Sequence, residues 1–560
     1  MSLNEWLLLF LSSNLIIFGG SYKLFNLAGV ESWKALIPFY NIIKHLDIIN
    51  RPRWWIILVF IPVINLLMIP VIWVEYIKTF NHNSKLDRIL VIVTLGFYIY
   101  YINYVSNKKK YISQISFSNF ERSFGSIIYA IVIATIVHNY IIQPFVIPTG
   151  SLEKTLRVGD FLLVSKFHYG ARIPSTVVSF PMVHDTIPII KSRSYLKKPQ
   201  LPYLRIPGFQ EIKNNDIVVF NWPADTVRRF FVKEKGVIKP TDKKSNYVKR
   251  AIGIPGDSLE IRDGIVYLNG KENNLPDRAK PLFTYIVKSN EGVSSSKLIN
   301  LEVDGFIRKF IIKSLSTDIY AEISKYILNI SNNGENEYLI YTTDKGIPIK
   351  LVRKLSLNIR EIIDKEKELS LTHIDAIKIK NSNQFDTIYR AIEETNTSNS
   401  NFFPNNKRFS WNNDHFGPLY IPKAGDKIDL NIKTLPLYKK IITDYEFNDL
   451  KVVDEDILIN GIKENEYVFK QDYYWMMGDN RDNSQDARMW GFVPFNHVVG
   501  KPVFIWMSWD SNAEGFINKI RWERLFTTVS GEGKPVSYFI YFVVLLGAWF
   551  IFDFFRKRKA

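Results

Sequence analysis

Residues 126–170 read SIIYAIVIATIVHNYIIQPFVIPTGSLEKTLRVGDFLLVSKFHYG and contain the junction on which the fold turns. Ser126 to Ile147 is an apolar run as long as a helix needs to cross a bilayer core, about 20 residues. It stops at Pro148-Thr149-Gly150-Ser151, a cluster of turn formers, and the residues beyond it read as the first strand of a body. A membrane helix therefore feeds a β-rich domain, with a serine hydroxyl at the boundary. Outward from the junction, Trp54–Tyr76, Ile89–Val105 and Val536–Phe555 are further apolar runs that read as spans. Trp6–Phe18 is shorter: a tilted first span, an uncleaved signal-like segment or an interfacial helix. It lacks the basic start and small-residue cleavage site of a removable signal peptide.

The 560 residues are 47% hydrophobic, 14% aromatic and 23% charged, which excludes a disordered, collagenous or low-complexity chain. The chain has no cysteine, which removes disulfides, thiolate catalysis, iron–sulfur clusters and cysteine zinc sites together. A net charge of +17 raises the question of nucleic acid. The lysines are spread along the chain, however, and the densest clusters flank apolar runs, as membrane topology requires. No nucleic-acid partner is expected.

Lys108, Lys109, Lys110 and Arg122 precede the Ser126 span, and Arg556, Lys557, Arg558 and Lys559 follow the last one. Basic clusters are kept on the cytoplasmic side, so Pro148–Pro535 falls outside. Five spans with an outside N-terminus agree, because Lys23, Lys34, Lys44, Arg51 and Arg53 then lie inside. The expected organisation is an N-terminal membrane region at 1–125 with three spans, a transmembrane helix at 126–147, and a mainly-β core split into 148–270 and 466–528. A second domain is inserted at 271–465, and a C-terminal transmembrane helix occupies 536–555. Residues 216–223, 257–270 and 427–437 carry strand alternation between turn residues. Residues 354–395 instead show helix-like spacing in Leu355, Leu357, Ile359, Ile362 and Ile363, and the Asn/Ser-rich 396–415 reads as a loop.

Three segments carry chemistry. The Pro-Thr-Gly-Ser turn exposes Ser151, although such residues are ordinary in any tight turn. Ser151-Leu152-Glu153-Lys154 also fits the Ser-x-x-Lys of penicillin-interacting enzymes, but no Lys-Thr-Gly completes that set. The second segment, 247–270, places Lys249 in an apolar strand pattern. Burial disfavours an ammonium and lowers its pKa, which would make Lys249 a general base, while a snorkelling or solvent-facing lysine is the commoner fate. The third, 473–494, is dense in turn-holding and charged groups and reads as a salt-bridged loop. It contains no histidine and no calcium-loop spacing, so a metal site is not expected there.

Taken in order, the segments resemble bacterial type I signal peptidases. The resemblance rests on Pro148-Thr-Gly-Ser-Leu with Thr155-Leu156, Gly159-Asp160 and Val164-x-Lys-Phe-x-Tyr-Gly170. It continues in Lys249-Arg-Ala-Ile-Gly-Ile-Pro-Gly-Asp257, then in Gly478-Asp-Asn-Arg-Asp-Asn-Ser-x-Asp-x-Arg-x-Trp-Gly491. It implies a membrane-anchored, mainly-β extracytoplasmic catalytic domain of the signal-peptidase type, here on a multi-span helical anchor with spans beyond the family's usual one or two and with a large insertion between Gly256 and Gly478. It implies Ser151 as nucleophile and Lys249 as its base, and an oxyanion held by the Ser151 N–H and the Thr149 hydroxyl, where the family usually has Ser. Ser484 would orient the lysine amine, and Arg250, Asp479, Asp486 and Arg488 would support the site. Leu152 replaces the usual Met and Ala487 a common Ser, neither of which removes a dyad atom. The implied partners are exported preproteins, the lipid bilayer and the secretion machinery, with no metal or cofactor. The place is the bacterial cytoplasmic membrane, with small residues at the first and third positions before the cut. A catalytically silent export-associated scaffold and a penicillin-interacting enzyme using Lys154 are the alternatives.

Overall fold

Strands with every residue buried need a sheet covered on both faces, and two such strands organise the body of this protein. Its structure is a computed structural model that describes residues 3–227, 236–397 and 399–559. The sheet comprises β1 (Ile142–Val146), β2 (Asp160–Ser165), β3 (Ile217–Asn221), β4 (Asn246–Gly253), β5 (Tyr473–Met477), β6 (Val493–Pro494), β7 (Val498–Ser508) and β8 (Thr527–Thr528). Its order is β1-β2-β7-β3-β4-β5-β6, with β8 also on β7. All of β3 and β5 is buried. Register places Met477 opposite Arg250 and Met476 opposite Ala251, after a bulge at Trp475/Met476. That pairing brings the chain leaving β5 alongside Lys249, although the two lie far apart in sequence. Ile147, Leu152, Leu156, Leu162, Val164, Ile217, Val219 and Val499 close one face in a single apolar cluster. Leu152 thus pins the turn that bears Ser151, with burial contributing about 2 kcal/mol.

The chain divides into two compact units. One holds Met1–Gln143, Ser165–Gln210 and Asn221–Asn246; the other holds Pro144–Val164, Glu211–Phe220 and Tyr247–Ala560. Among the described residues, three helices are long and apolar enough to cross a membrane: Asn4–Leu27, Glu121–Ile141 and Phe539–Arg558. The expected span at Trp54–Tyr76 is instead two helices, Trp55–Phe60 and Asn65–Thr79. The cause is local. Pro62 has no N–H for the helical ladder and forces Ile61 into extended backbone, φ −79° and ψ 120°. The Ile89–Val105 run is also broken, into Lys85–Val93 and Tyr98–Tyr104 bent by 119° around Leu95 and Gly96, both at positive φ. Conversely, the short Trp6–Phe18 run lies within one continuous helix, Leu3–Leu27. Its polar interruptions are satisfied from neighbouring helices: Asn14 accepts from Asn41, and Ser21 hydrogen-bonds His45.

Of the five small antiparallel sheets that the described residues form between β4 and β5, two lie within 283–390. One pairs Glu366–Leu371, Phe283–Lys288 and Thr387–Arg390 against the helices Ser295–Asn300 and His373–Asn381. The other runs Ile327–Gly334, Glu337–Thr342, Arg308–Lys313, Asn358–Glu361. Each has its own apolar core. The helix-like spacing over 355–363 is here the edge strand Asn358–Glu361, paired to Arg308–Lys313. Leu355, Leu357 and Ile359, two apart, all pack on that second core, a strand period within a longer pattern that also fitted a helix.

Candidate active site

The turn that bears Ser151 is built by its own short 3-10 helix, Gly150–Leu152, with Leu152 in the core below. Thr149 precedes it in extended backbone (φ −135°, ψ 152°) with an exposed side chain. From β4, Lys249 reaches the turn, and its Nζ lies 2.5 Å from Ser151 Oγ. Only 3% of Lys249 is exposed. Its aliphatic stem and amine pass the Tyr247 ring, 5.3 Å from the centroid. Burial lowers the amine pKa from 10.5 to about 8, opposed by the charges of Asp486 and Asp479 and assisted by Arg488. A serine hydroxyl against a lysine that is about half deprotonated at pH 8 is the pairing required for nucleophilic activation without histidine.

The loop after β5 locks the turn from the other side. Asn480 donates its backbone N–H to the Ser151 carbonyl (3.0 Å) and its Nδ2 to the Gly150 carbonyl (3.1 Å). Gly478 must be glycine for steric reasons, since a Cβ there would collide with the Ser484 hydroxyl and the Ser151 carbonyl oxygen. Asp479 accepts both arms of the Arg250 guanidinium, at 2.8 and 2.6 Å, and the Thr155 hydroxyl at 2.6 Å. One carboxylate so joins β4, the turn and the loop. Asp486 receives Arg488 through two more bonds, 2.9 and 2.8 Å, and the Gly478 N–H at 3.0 Å. Although burial opposes it, these cations and donors hold both Asp479 and Asp486 below the ordinary carboxylate range. Both pairs are buried, so each carboxylate is matched by hydrogen bonds as well as charge.

Ser484 sits against Gly478, but its buried Oγ has no hydrogen-bond partner among the described residues. The expected bond from Ser484 to the lysine amine is therefore not made in this state; Lys249 is turned onto Ser151 instead. Lys154 is held by carboxylates. Its Nζ lies 2.7 Å from Asp375 and 2.8 Å from Asp304. Against burial, those carboxylates raise its pKa above 10.5. Sequence reasoning missed Thr155, Asp304 and Asp375 as parts of this surround. Thr155 was legible in principle, being within the turn motif, whereas the two aspartates carry no local signal. Among the described residues there is no His/Cys/Asp/Glu group suited to a metal ion.

The family model of signal peptidase, peptidase S26, matches residues 121–300 and 421–509, which include every residue of the Ser151–Lys249–Asp479–Asp486 arrangement. A family of unknown function (DUF5684) matches residues 33–114. Signal peptidase I of Buchnera aphidicola subsp. Schizaphis graminum is 24% identical over 436 residues, covering 76% of this chain and 89% of the relative. That of Haemophilus influenzae is 22% identical over 406 residues, 72% of this chain and 74% of the relative. That of Rickettsia massiliae is 30% identical over 177 residues, 32% and 51% respectively.

Proposed function

Because the chain belongs to the signal peptidase family, peptidase S26, and is thus a serine endopeptidase, we propose that it removes N-terminal signal peptides from exported preproteins with a Ser151–Lys249 dyad. The observation that carries the proposal is the 2.5 Å approach of the buried Lys249 amine to Ser151 Oγ. Neutral Lys249 accepts the Ser151 proton as Oγ attacks the carbonyl carbon before the scissile bond. The oxyanion so formed takes hydrogen bonds from the Ser151 backbone N–H and the Thr149 hydroxyl. The Lys249 ammonium then protonates the departing amine, and the C–N bond breaks. A water, deprotonated by the same lysine, attacks the acyl carbon, the C–Oγ bond breaks, and the lysine returns the proton to Ser151 Oγ as the acid is released. Once Lys249 carries the proton it has a further N–H to donate, and the unpartnered Ser484 Oγ is the acceptor we assign to it. The Arg250–Asp479 and Arg488–Asp486 pairs position the loop and take no part in proton transfer. The two carboxylates on Lys154 keep it charged, which argues against the penicillin-interacting reading.

The same proposal extends to topology. With the Lys108–Lys110 and Arg556–Lys559 clusters inside, three alternating spans at 4–27, 121–141 and 539–558 leave the N-terminus and residues 142–535 outside. The bent pair at 85–104 then enters and leaves from the cytoplasmic face. The inserted second domain is the expected 271–465, and the gap at 301–420 in the match to the peptidase model falls within it and supports it. The test is cleavage of a preprotein by the detergent-purified chain, with the cut located by mass spectrometry. Cutting once, after a small residue, by wild type and not by Ser151→Ala supports the proposal. Undiminished cutting by Ser151→Ala, or binding of preprotein without any cutting, overturns it.

A further inference from the structure

Residues 172–206 form an irregular antiparallel hairpin, held by isolated bridges Arg172↔Arg205, Thr176↔Gln200, Ser179↔Tyr195 and Thr186↔Arg193. One side is covered near its base. Asp242 accepts from the Ser175 hydroxyl and the Thr176 N–H, and Lys243 donates to Ser179 at 2.6 Å. The far end is apolar and uncovered: Ile189 is 92% exposed, Ile190 71% and Phe180 57%, with Met182 and Leu196 also exposed. Isolated exposed apolar residues need no explanation, but several large ones concentrated on one protruding tip do.

Two tethers say what covers them. Trp6, at the start of the apolar helix Leu3–Leu27, donates its indole N–H to the Gln200 carbonyl at 3.1 Å. At the hairpin's base, the Lys166 N–H bonds the Ile141 carbonyl, the last residue of the Glu121–Ile141 candidate span. The hairpin is thus fastened to the first turns of one membrane-length helix and to the end of another. A tryptophan at such a position is the residue type that settles at a bilayer's polar boundary. Charge agrees. Between 172 and 206 the sequence has Arg172, Lys191, Arg193, Lys197, Lys198 and Arg205 against the single acid Asp185. The four middle cations are exposed beside the apolar tip.

We propose that this hairpin lies on the outer surface of the membrane, its Ile189/Ile190 tip sunk into the headgroup–acyl boundary, with Lys191, Arg193, Lys197 and Lys198 on anionic lipid phosphates. Apolar burial and electrostatic attraction combine at such interfaces. The proposal uses no residue of the dyad and stands or falls independently of what the dyad cleaves.

The absence of cysteine makes the test direct. Ile189→Cys, Ile190→Cys and Thr241→Cys in the full chain are each labelled with an environment-sensitive fluorophore. They are then reconstituted into vesicles of phosphatidylethanolamine and phosphatidylglycerol. Variants are used only if they unfold at the same temperature as the parent. Labels at 189 and 190 should lose most of their emission to doxyl groups on the acyl chains and be protected from iodide, whereas the label at 241 should show the reverse. Iodide quenching at 189 and 190 equal to that at 241 would overturn the proposal, leaving the tip in water or awaiting a protein. Equal doxyl quenching at all three sites would overturn it as well, since the tip would then have no special role.

Discussion

Two lysines approach the Ser151 turn, and their surroundings set them apart. Lys154 is three residues from the serine and bonded to two carboxylates, so its charge is fixed and its pKa raised. Lys249 is 98 residues away, on a strand, hydrogen-bonded to the serine hydroxyl, and its burial lowers its pKa to about 8. Identical side chains therefore do opposite things. On the proposed mechanism closeness in sequence decides nothing; desolvation without a bonded carboxylate is what suits Lys249 to act as the base. Lys154 also has a left-handed backbone, φ 65°. That conformation is uncommon for a residue with a Cβ and persists where the surroundings over-determine it. Asp304 and Asp375 are those surroundings, so the lysine nearest the serine acts as a fastening for the turn.

The sharpest way to break the comparison is to exchange the outcomes. Lys249→Ala should lower turnover by about 10³-fold or more, because both activation of the nucleophile and protonation of the leaving amine are lost. Lys154→Ala should stay within about tenfold of wild type, as removing a positioning contact does not remove a reacting group. Steady-state cleavage of one preprotein by both variants checks this.

Asp486→Asn tests the electrostatic surround. It leaves the Arg488 guanidinium buried without its charge partner, at a cost of about 3–5 kcal/mol in unfolding free energy. It also removes the largest influence raising the Lys249 pKa, so in any active, folded fraction the acid limb of the rate profile should move to lower pH. Denaturant unfolding and a pH–rate series measure the two effects separately.

Lys249→Met trades function for stability. The folded pKa of Lys249 is lowered from 10.5 to about 8, so the unfolded chain binds the proton more readily between those values. The native state therefore carries a penalty that is complete below pH 8 and disappears as pH rises towards 10.5. At 1.4 kcal/mol per unit, the inactive Met variant should be more stable than wild type by up to about 3 kcal/mol at pH 7. The gap should close by pH 10.5, which thermal unfolding in detergent at the two pH values would show. The smallest effect belongs to Asp375→Asn. Lys154 keeps Asp304, and the loss should be about 1 kcal/mol of stability with a modest fall in turnover.

Much of the site was legible because its motifs are local. The turn at 148–151, the strand at 249–257 and the loop at 478–491 each specify their own backbone, and β4–β5 register then brings them together. The reading failed where a distant partner or one backbone torsion overrules composition. Trp54–Tyr76 has the apolarity of a span, yet Pro62 divides it. The apparent first run stops at Phe18, before Gly19, Gly20 and Ser21, yet His45 satisfies Ser21, Asn41 satisfies Asn14 and the helix continues to Leu27. The ion pairs of Lys154 have no local signal, because Asp304 and Asp375 lie more than 140 positions away.

The central claim, that Lys249 and not Lys154 is the base for Ser151, is tested most directly by kcat/KM for one preprotein as a function of pH, in wild type and in Lys154→Ala. The account predicts that both fall about tenfold per unit below an apparent pKa near 8, the value burial gives Lys249. A profile that is flat through pH 8 in wild type, or an acid limb that vanishes with Lys154, would contradict it.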